Sequence, residues 1–414
     1  MNVEYFISKR IVSAKENKNV FSRPIIRLTI FAIALSVAVM LISLSILDGF
    51  QSKIINKVIS FGSHIQISNY EKTSDKEEIP LELTSSFLTL VQQNSEITDI
   101  YKVIYDFGLV KTDDDFMGIN LKGVDEDYNF STFSDKIIDG ELLNSDSSIF
   151  ISENIANKLK LEVSDKIRVY FPSLNSERAN VRPFYVCGIY NTNMNEFDET
   201  LTFVSLSKLQ KLRKWEENKV SLIEIKVSDF SKVDKVKESI KSSLDSISIL
   251  TKNPYNKKVV SIIDLHPEIF DWLHLQNNSV LFIIILMLIV AVINIITSLL
   301  ILILEKTKFI GVLKSLGISN WSIRKVFMYN SMYLVFKGLL WGNIIAFSIL
   351  FSQYHFQIIS LDPETYYMET VPISFDILSF LLLNVGTLIV CFIMMIFPTI
   401  VITKISAVKA IRFE

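Results

Sequence analysis

The sequence predicts an α-helical membrane protein with four transmembrane helices and a large extracytoplasmic mixed α/β domain inserted between helices 1 and 2. Three observations carry this. Half of the 414 residues are apolar and the mean hydropathy is positive, yet the apolar residues are gathered into four long runs. Each run is about as long as the roughly 20 residues a bilayer-spanning helix needs. Between the first run and the second, residues 51–279 alternate polar and apolar in the manner of a water-soluble domain.

The elements follow in order. Residues 3–18 place Val3, Phe6, Ile7, Ile11 and Ala14 on one stripe, with Lys9, Arg10, Lys15 and Lys18 mostly off it. This suits a helix lying on an anionic membrane surface. Leu28–Leu47 is an uncharged run of 20 residues, too long and too late for a cleaved signal peptide, so it reads as a retained first span. In the middle region SHIQIS, ITDIYKVIYDFGLV, DKIRVYF, RPFYVCGIY, ETLTFVSL and SLIEIKV read as strands. Helical patterns interleave at Ser85–Gln93, Glu153–Leu161, Leu206–Trp215 and Val233–Leu244, and a division into two lobes is expected near Phe130–Gly140. IIDLHPEIFDWLHLQNNS reads as a helix that feeds into the second span, the 25 uncharged residues Val280–Leu304. A short amphipathic helix follows, with Phe309, Val312, Leu313 and Leu316 as its apolar stripe. Gly317 is placed to end it and Ser319 to cap the next helix.

The full division is a cytoplasmic amphipathic segment 1–24, spans at 25–50, 280–304, 326–352 and 377–403, the extracytoplasmic domain 51–279, a cytoplasmic coupling helix and loop 305–325, an outer loop 353–376 and a cytoplasmic tail 404–414. Basic residues set the orientation: Lys and Arg flank the inner ends, whereas residues 353–375 hold none. Both termini are therefore expected in the cytoplasm. Lys337, inside the third span, either faces a polar gap or a partner subunit, or snorkels or pairs locally. Asn294, Asn343 and Asn384 are expected to hold helices together.

Catalytic patterns are missing from the sequence. There is no G-x-x-x-x-G-K-[ST] phosphate loop, no H-E-x-x-H and no C-x-x-C, so no catalytic residue, metal site or cofactor is expected on this chain. His64, His266, His274 and His355 are scattered; Asp113–Asp115, Asp125 and Asp127 read as solvated turns. Cys187 and Cys391 lie in regions that cannot meet, and a net charge of -2 gives no reason to expect a nucleic-acid partner.

Five stretches in order carry a resemblance: LSILDGFQSKI, IFDWLHLQ, NIITSLLILILEKTKFIGVLKSLGISNWSIRKVF, YYMETVPISF and FPTIVITKISAVKAIRFE. With this architecture the chain resembles the FtsX-like permease superfamily of ABC transporters, most of all the lipoprotein-releasing permeases LolC and LolE. The resemblance implies that the outer domain is a MacB-like periplasmic core and that the protein sits in the bacterial inner membrane. It implies docking of a cytoplasmic LolD-like ATPase dimer, which would hold ATP and magnesium, on Glu305, Lys306, Lys308, Phe309, Gly311, Val312, Leu313, Lys314, Leu316 and Gly317. A second permease copy or paralogue, membrane lipid, a lipoprotein substrate and a LolA-like periplasmic chaperone are the other implied partners. Leu47 and Phe50 match positions associated with substrate contact; Leu44, Leu281 and Ile284 join them by their placement near the same outer end. A chaperone-docking hook corresponds to residues 171–183, including Phe171, Pro172, Arg178 and Pro183, though the stretch is shorter than in LolC-like members. Asp48 stands where the family usually has asparagine. The activity implied is extraction of lipoproteins from the outer leaflet and their transfer to the chaperone. A MacB-like efflux permease and an FtsX-like regulator of a cell-wall hydrolase are the alternatives.

Overall fold

A computed structural model describes the chain except for residues 1–3, 5, 9–21, 70–78, 113–114, 135, 173–179, 252–256, 363–365, 367 and 406–414. Most of the amphipathic segment 3–18, the residue Arg178 and most of the basic tail therefore lie outside the described residues. Two compact units emerge. One comprises Met1–Ser52, Trp272–Ser360 and Thr370–Glu414; the other comprises Lys53–Asp271 and Leu361–Glu369.

In chain order the main elements are α1 (Ser22–Phe61), β1 (Ile65–Asn69), β2 (Leu81–Glu82), α2 (Ser85–Gln92), β3 (Ile97–Lys111), β4 (Phe116–Val124), β5 (Ile137–Gly140), β6 (Ser148–Ser152), α3 (Glu153–Leu159), β7 (Lys166–Phe171), β8 (Asn180–Tyr190), β9 (Leu201–Ser205), α4 (Leu206–Arg213), β10 (Lys219–Val220), β11 (Leu222–Val227), α5 (Val233–Thr251), β12 (Lys257–Ser261), α6 (Pro267–Glu305), α7 (Thr307–Ser315), α8 (Asn320–Phe356) and α9 (Ile377–Met394). Two short turns of helix, Ile396–Thr399 and Val401–Lys404, follow α9. Among the described residues four stretches are long and apolar enough to cross a membrane: Ile26–Phe61, Pro267–Glu305, Asn320–Phe356 and Ile377–Lys404. The first extends beyond the predicted 25–50 and the second begins before the predicted 280, because helical hydrogen bonding continues past the apolar run in each.

The helical unit is built on a core of Ile33, Val37 and Leu41 from α1, Ile295 and Leu299 from α6, Phe327 and Val335 from α8, and Phe380 and Cys391 from α9. In lipid, close packing rather than water exclusion holds such helices together. Gly338 and Gly342 of α8 provide that closeness: a Cβ at 338 would meet Ile33 Cγ2 at 2.5 Å and one at 342 would meet the Ala34 carbonyl oxygen at 2.8 Å. Asn343 and Asn384 exchange amide hydrogen bonds of 2.8 and 3.1 Å across α8 and α9, whereas Asn294 donates to Val290 of its own helix. Lys337 is exposed and its ammonium lies 4.6 Å from the Tyr333 ring centroid.

The other unit is built on a ten-stranded mixed sheet in the order β12-β1-β11-β3-β4-β9-β6-β8-β5, with β7 pairing β3 and β8, and β2 and β10 form a separate two-stranded ribbon. Among the described strands of this sheet, β4 with β9 and β6 with β8 run parallel and the other pairs antiparallel. One face buries Ile104, Leu121 and Ile225 with Phe87 and Val91 of α2, Leu206 and Leu209 of α4, and Val236 and Ile240 of α5. On the opposite face Phe133, Phe150, Tyr190 and Phe203 form an edge-to-face aromatic cluster, joined by Phe130. The expected lobe boundary at Phe130–Gly140 is therefore corrected. The stretch lies within one continuous unit, where Phe133 is buried and Phe130 half-buried in the aromatic cluster and β5 forms an edge strand of the sheet.

Candidate coupling helix and transport surfaces

The short helix α7 forms as the spacing predicts, and its exit is shaped by Gly317 at φ 81° and by Ser319, whose side chain accepts the Ser322 backbone N–H. Its apolar stripe is not the predicted one. Ile310, Gly311 and Leu313 are buried against the bundle with Phe309 half-buried, while Val312 is 47% and Leu316 72% exposed. The two faces differ because the helix carries apolar residues on more than one side; the sequence cannot say which side the bundle takes. Lys314 also turns inward, donating to the carbonyl oxygens of Ile402 at 2.8 Å and Ile405 at 2.6 Å. It thereby supplies a side-chain donor to carbonyls at a helix end, where intrahelical donors run out. Arg324 also reaches this region, donating to Thr399 Oγ1 at 3.2 Å and to the Ile396 carbonyl at 3.4 Å. Glu305 closes α6 with Lys306 Nζ at 3.3 Å. What remains outward is Lys308, Val312, Leu316 and Gly317, with Leu304 and Trp321 adding exposed apolar surface beside them. A face of this kind, apolar with a lysine at its margin, suits a protein surface better than water.

At the other end of the first span, two of the motif stretches meet. Ser45 Oγ donates to the Ser374 carbonyl at 2.5 Å, and the Ser374 N–H returns to the Ser45 carbonyl at 3.2 Å. Gly49 allows this approach, since a Cβ there would sit 2.6 Å from the Pro372 carbonyl oxygen. Leu47 is only 8% exposed and Phe50 lies against Trp272 with ring centroids 5.6 Å apart. Leu44 and Ile284 are half-buried. Of the five residues expected at a substrate cavity, Leu281 alone is exposed, and it continues an open apolar row through Phe282, Ile285, Leu286, Ile289 and Ile293 on α6.

The stretch expected to dock a chaperone joins β7 to β8. Phe171 is 4% exposed and belongs to the domain core, so it is not offered to a partner; Pro172 and Pro183 are exposed. The strand alternation places Phe171 one residue out of phase with the open face. That face carries instead Tyr170 with Val181 opposite it, and Lys166 with Tyr185 opposite it. Next to them on β3 and β4 stand the exposed Phe107, Leu109 and Phe116. Sequence reading missed this apolar strip because its members come from four strands brought together only by register.

Among the described residues no three His, Cys, Asp or Glu side chains converge on a metal-sized site. His266 faces the Phe197 ring at 5.5 Å, and Asp113 and Asp114 are outside the described residues.

Four apolar helices among the described residues, a short helix with an open apolar face, and a mixed α/β domain whose residues follow the first span in sequence define a multi-pass membrane protein. The sequence model of the MacB-like periplasmic core domain matches residues 27–243, more than half of the chain, and that of the FtsX-like permease C-terminal region matches residues 281–407. The chain belongs to this family of FtsX-like permeases with a MacB-like periplasmic core, and is a multi-pass inner membrane protein with a periplasmic domain. It is 25% identical to the lipoprotein-releasing system transmembrane protein LolC of Buchnera aphidicola subsp. Schizaphis graminum, over 91% of each chain. It is 22% identical to LolC of Neisseria meningitidis serogroup B over 100% of each chain. With LolE of Haemophilus influenzae it shares 21% identity over 84% of this chain and 82% of that one.

Proposed function

We propose that this protein is a Lol-type permease subunit which extracts lipoproteins from the outer leaflet of the inner membrane and passes them to a soluble periplasmic carrier. The observation that carries the reading is similarity over essentially the whole chain to lipoprotein-releasing LolC proteins, spans and outer domain together. Physical chemistry defines the task. At about 0.8 kcal/mol per methylene, freeing three acyl chains of about sixteen carbons into water costs roughly 35 to 40 kcal/mol. The chains must therefore pass from lipid to one apolar surface and then to another. The open row on α6 beginning at Leu281 supports the first surface, completed by a second permease copy or paralogue. Around the β7–β8 connection, Pro172, Tyr170, Val181, Pro183 and Tyr185 support a place for the carrier.

Energy comes from a separate cytoplasmic ATPase dimer that holds ATP and magnesium, and both termini of this chain share its side of the membrane. Its docking site is the outward face of α7: Lys308, Val312, Leu316 and Gly317, with Leu304 and Trp321. Gly311 and Leu313 act from beneath, seating the helix. Val312→Asp and Leu316→Asp are expected to abolish co-purification of the ATPase and release of lipoprotein from liposomes while leaving the helical unit folded. Full ATPase binding and release by both variants would overturn the docking assignment. Wild-type protein, loaded with its ATPase, that moves a small amphiphile but no acylated protein would replace lipoprotein release by efflux.

A further inference from the structure

At the centre of the sheet lies an ion pair that the transport reading does not use. Lys122 of β4 and Glu224 of β11 have fully buried side chains, with charged atoms 2.9 Å apart. Tyr105 of the intervening strand β3 donates to Glu224 at 3.3 Å. The ammonium has three N–H donors, and each has a taker: Glu224 at 2.9 Å, Tyr128 Oη at 3.1 Å and the backbone carbonyl of Phe61 at 2.7 Å. Phe61 is the last residue of α1, the first membrane-spanning helix. Its carbonyl belongs to the helix end that lacks intrahelical donors and carries the negative pole of the helix dipole. The Phe61 ring is stacked on Phe197 at 4.2 Å and meets Phe133 edge-on at 5.8 Å. One turn earlier, Lys57 donates to the Thr192 carbonyl at 3.0 Å.

Filling a core does not call for this arrangement, since a buried pair can usually be replaced by two apolar side chains of similar size without loss of stability. What an apolar pair cannot do is grip a carbonyl at the tip of a helix. We propose that Lys122, held by Glu224, is a latch that fixes the last turn of the first spanning helix to the middle of the periplasmic sheet, so that displacement of the span is delivered to the domain instead of being lost by fraying at the junction. Lys122 is thus a positioning residue, and the consequence for transport rests on the lipoprotein-release reading above.

The test uses the full chain with its ATPase in nanodiscs, as wild type and as the double variant Lys122→Met/Glu224→Met. Amide hydrogen exchange at residues 58–61 should accelerate at least tenfold in the variant, with β4 and β11 still protected, and the ATP consumed per lipoprotein released should rise at least fivefold. Unchanged exchange at 58–61 together with an unchanged ratio would overturn the latch. Should the double variant not fold, wild-type exchange decides: residues 58–61 must be as slow as β4 and β11, and exchange more than tenfold faster than the strands rejects the proposal. The exchange measurement stands even if the wild-type complex releases no lipoprotein, an outcome that would count against the transport reading alone.

Discussion

His64, at the entry to β1, ties the stability of the periplasmic domain to acidity. Its Nδ1 accepts the Val227 N–H at 3.0 Å, a bond that only the unprotonated nitrogen can accept. Burial, helped by the nearby Lys226 ammonium, pushes its pKa down from the usual imidazole value to about 4. The unfolded chain, titrating near pH 6.5, then binds more protons than the folded one between those limits. The contribution of His64 is therefore complete above about pH 6.5 and is lost as pH falls towards 4. Hydrogen exchange in β1 and β11 of the full chain should quicken between pH 6.5 and 4.5 after correction for intrinsic rates, and His64→Gln should remove much of that acceleration. An identical pH profile in the variant would contradict the assignment. Residues of this kind were the least legible in the sequence. Lys122 in NLKGV and Glu224 in LIEIK look like the solvent side of alternating strands, because charge ordinarily marks exposure. Their burial depends on each other and on a helix end 61 residues upstream of one and far from the other in sequence, so no local pattern announces it.

Whole elements were easier to read, wherever one physical signal dominates. Uninterrupted apolar length announces α1, α6, α8 and α9, and strict alternation announces β3, β8 and β11. The strand β4 was missed because Gly118 and Gly123 break its alternation, yet both have reasons to be glycine: a Cβ would lie 2.9 Å from the Phe107 ring at 118 and 2.8 Å from Leu209 at 123. The G-x-x-x-G spacing of Gly338 and Gly342 was also visible in the sequence and is the signal for the close passage of α8 by α1. Gly338→Ile is expected to destabilise the helical unit by about 1–3 kcal/mol through overpacking. Gly386→Ala, with nothing within 4 Å of its Cβ, should be neutral or stabilising. Unfolding of the two variants in mixed detergent micelles checks both, and equal midpoints would refute the packing argument. In α7 the inward lysine makes a separate prediction. Lys314→Met should leave the ATPase bound, since the docking face is untouched, while hydrogen exchange in Val401–Lys404 increases severalfold; loss of ATPase binding would place Lys314 on the docking face instead.

For the molecule as a whole, sidedness is the property on which the transport scheme depends. Ser315→Cys, on the exposed end of α7, should react with an impermeant maleimide only after the membrane is opened, and Ser360→Cys in the loop after α8 should react in intact cells. The reverse pattern would invert the orientation. The native cysteines leave a quiet background: Cys391 is buried among helices, and burial pushes the Cys187 thiol up to about 11. One property of the sheet bears on how such a protein is made. Strand β1 is the first to be synthesised, yet it is bracketed by β11 and β12, pairing Ile65 with Ile225 and with Ser261. No partner for it exists until the ribosome has reached the end of the domain. The strands from β3 to β9 can pair among themselves as they are exported, but β1 stays unpaired, tethered by the first span, until the last strands of the domain arrive just before the second span enters the bilayer.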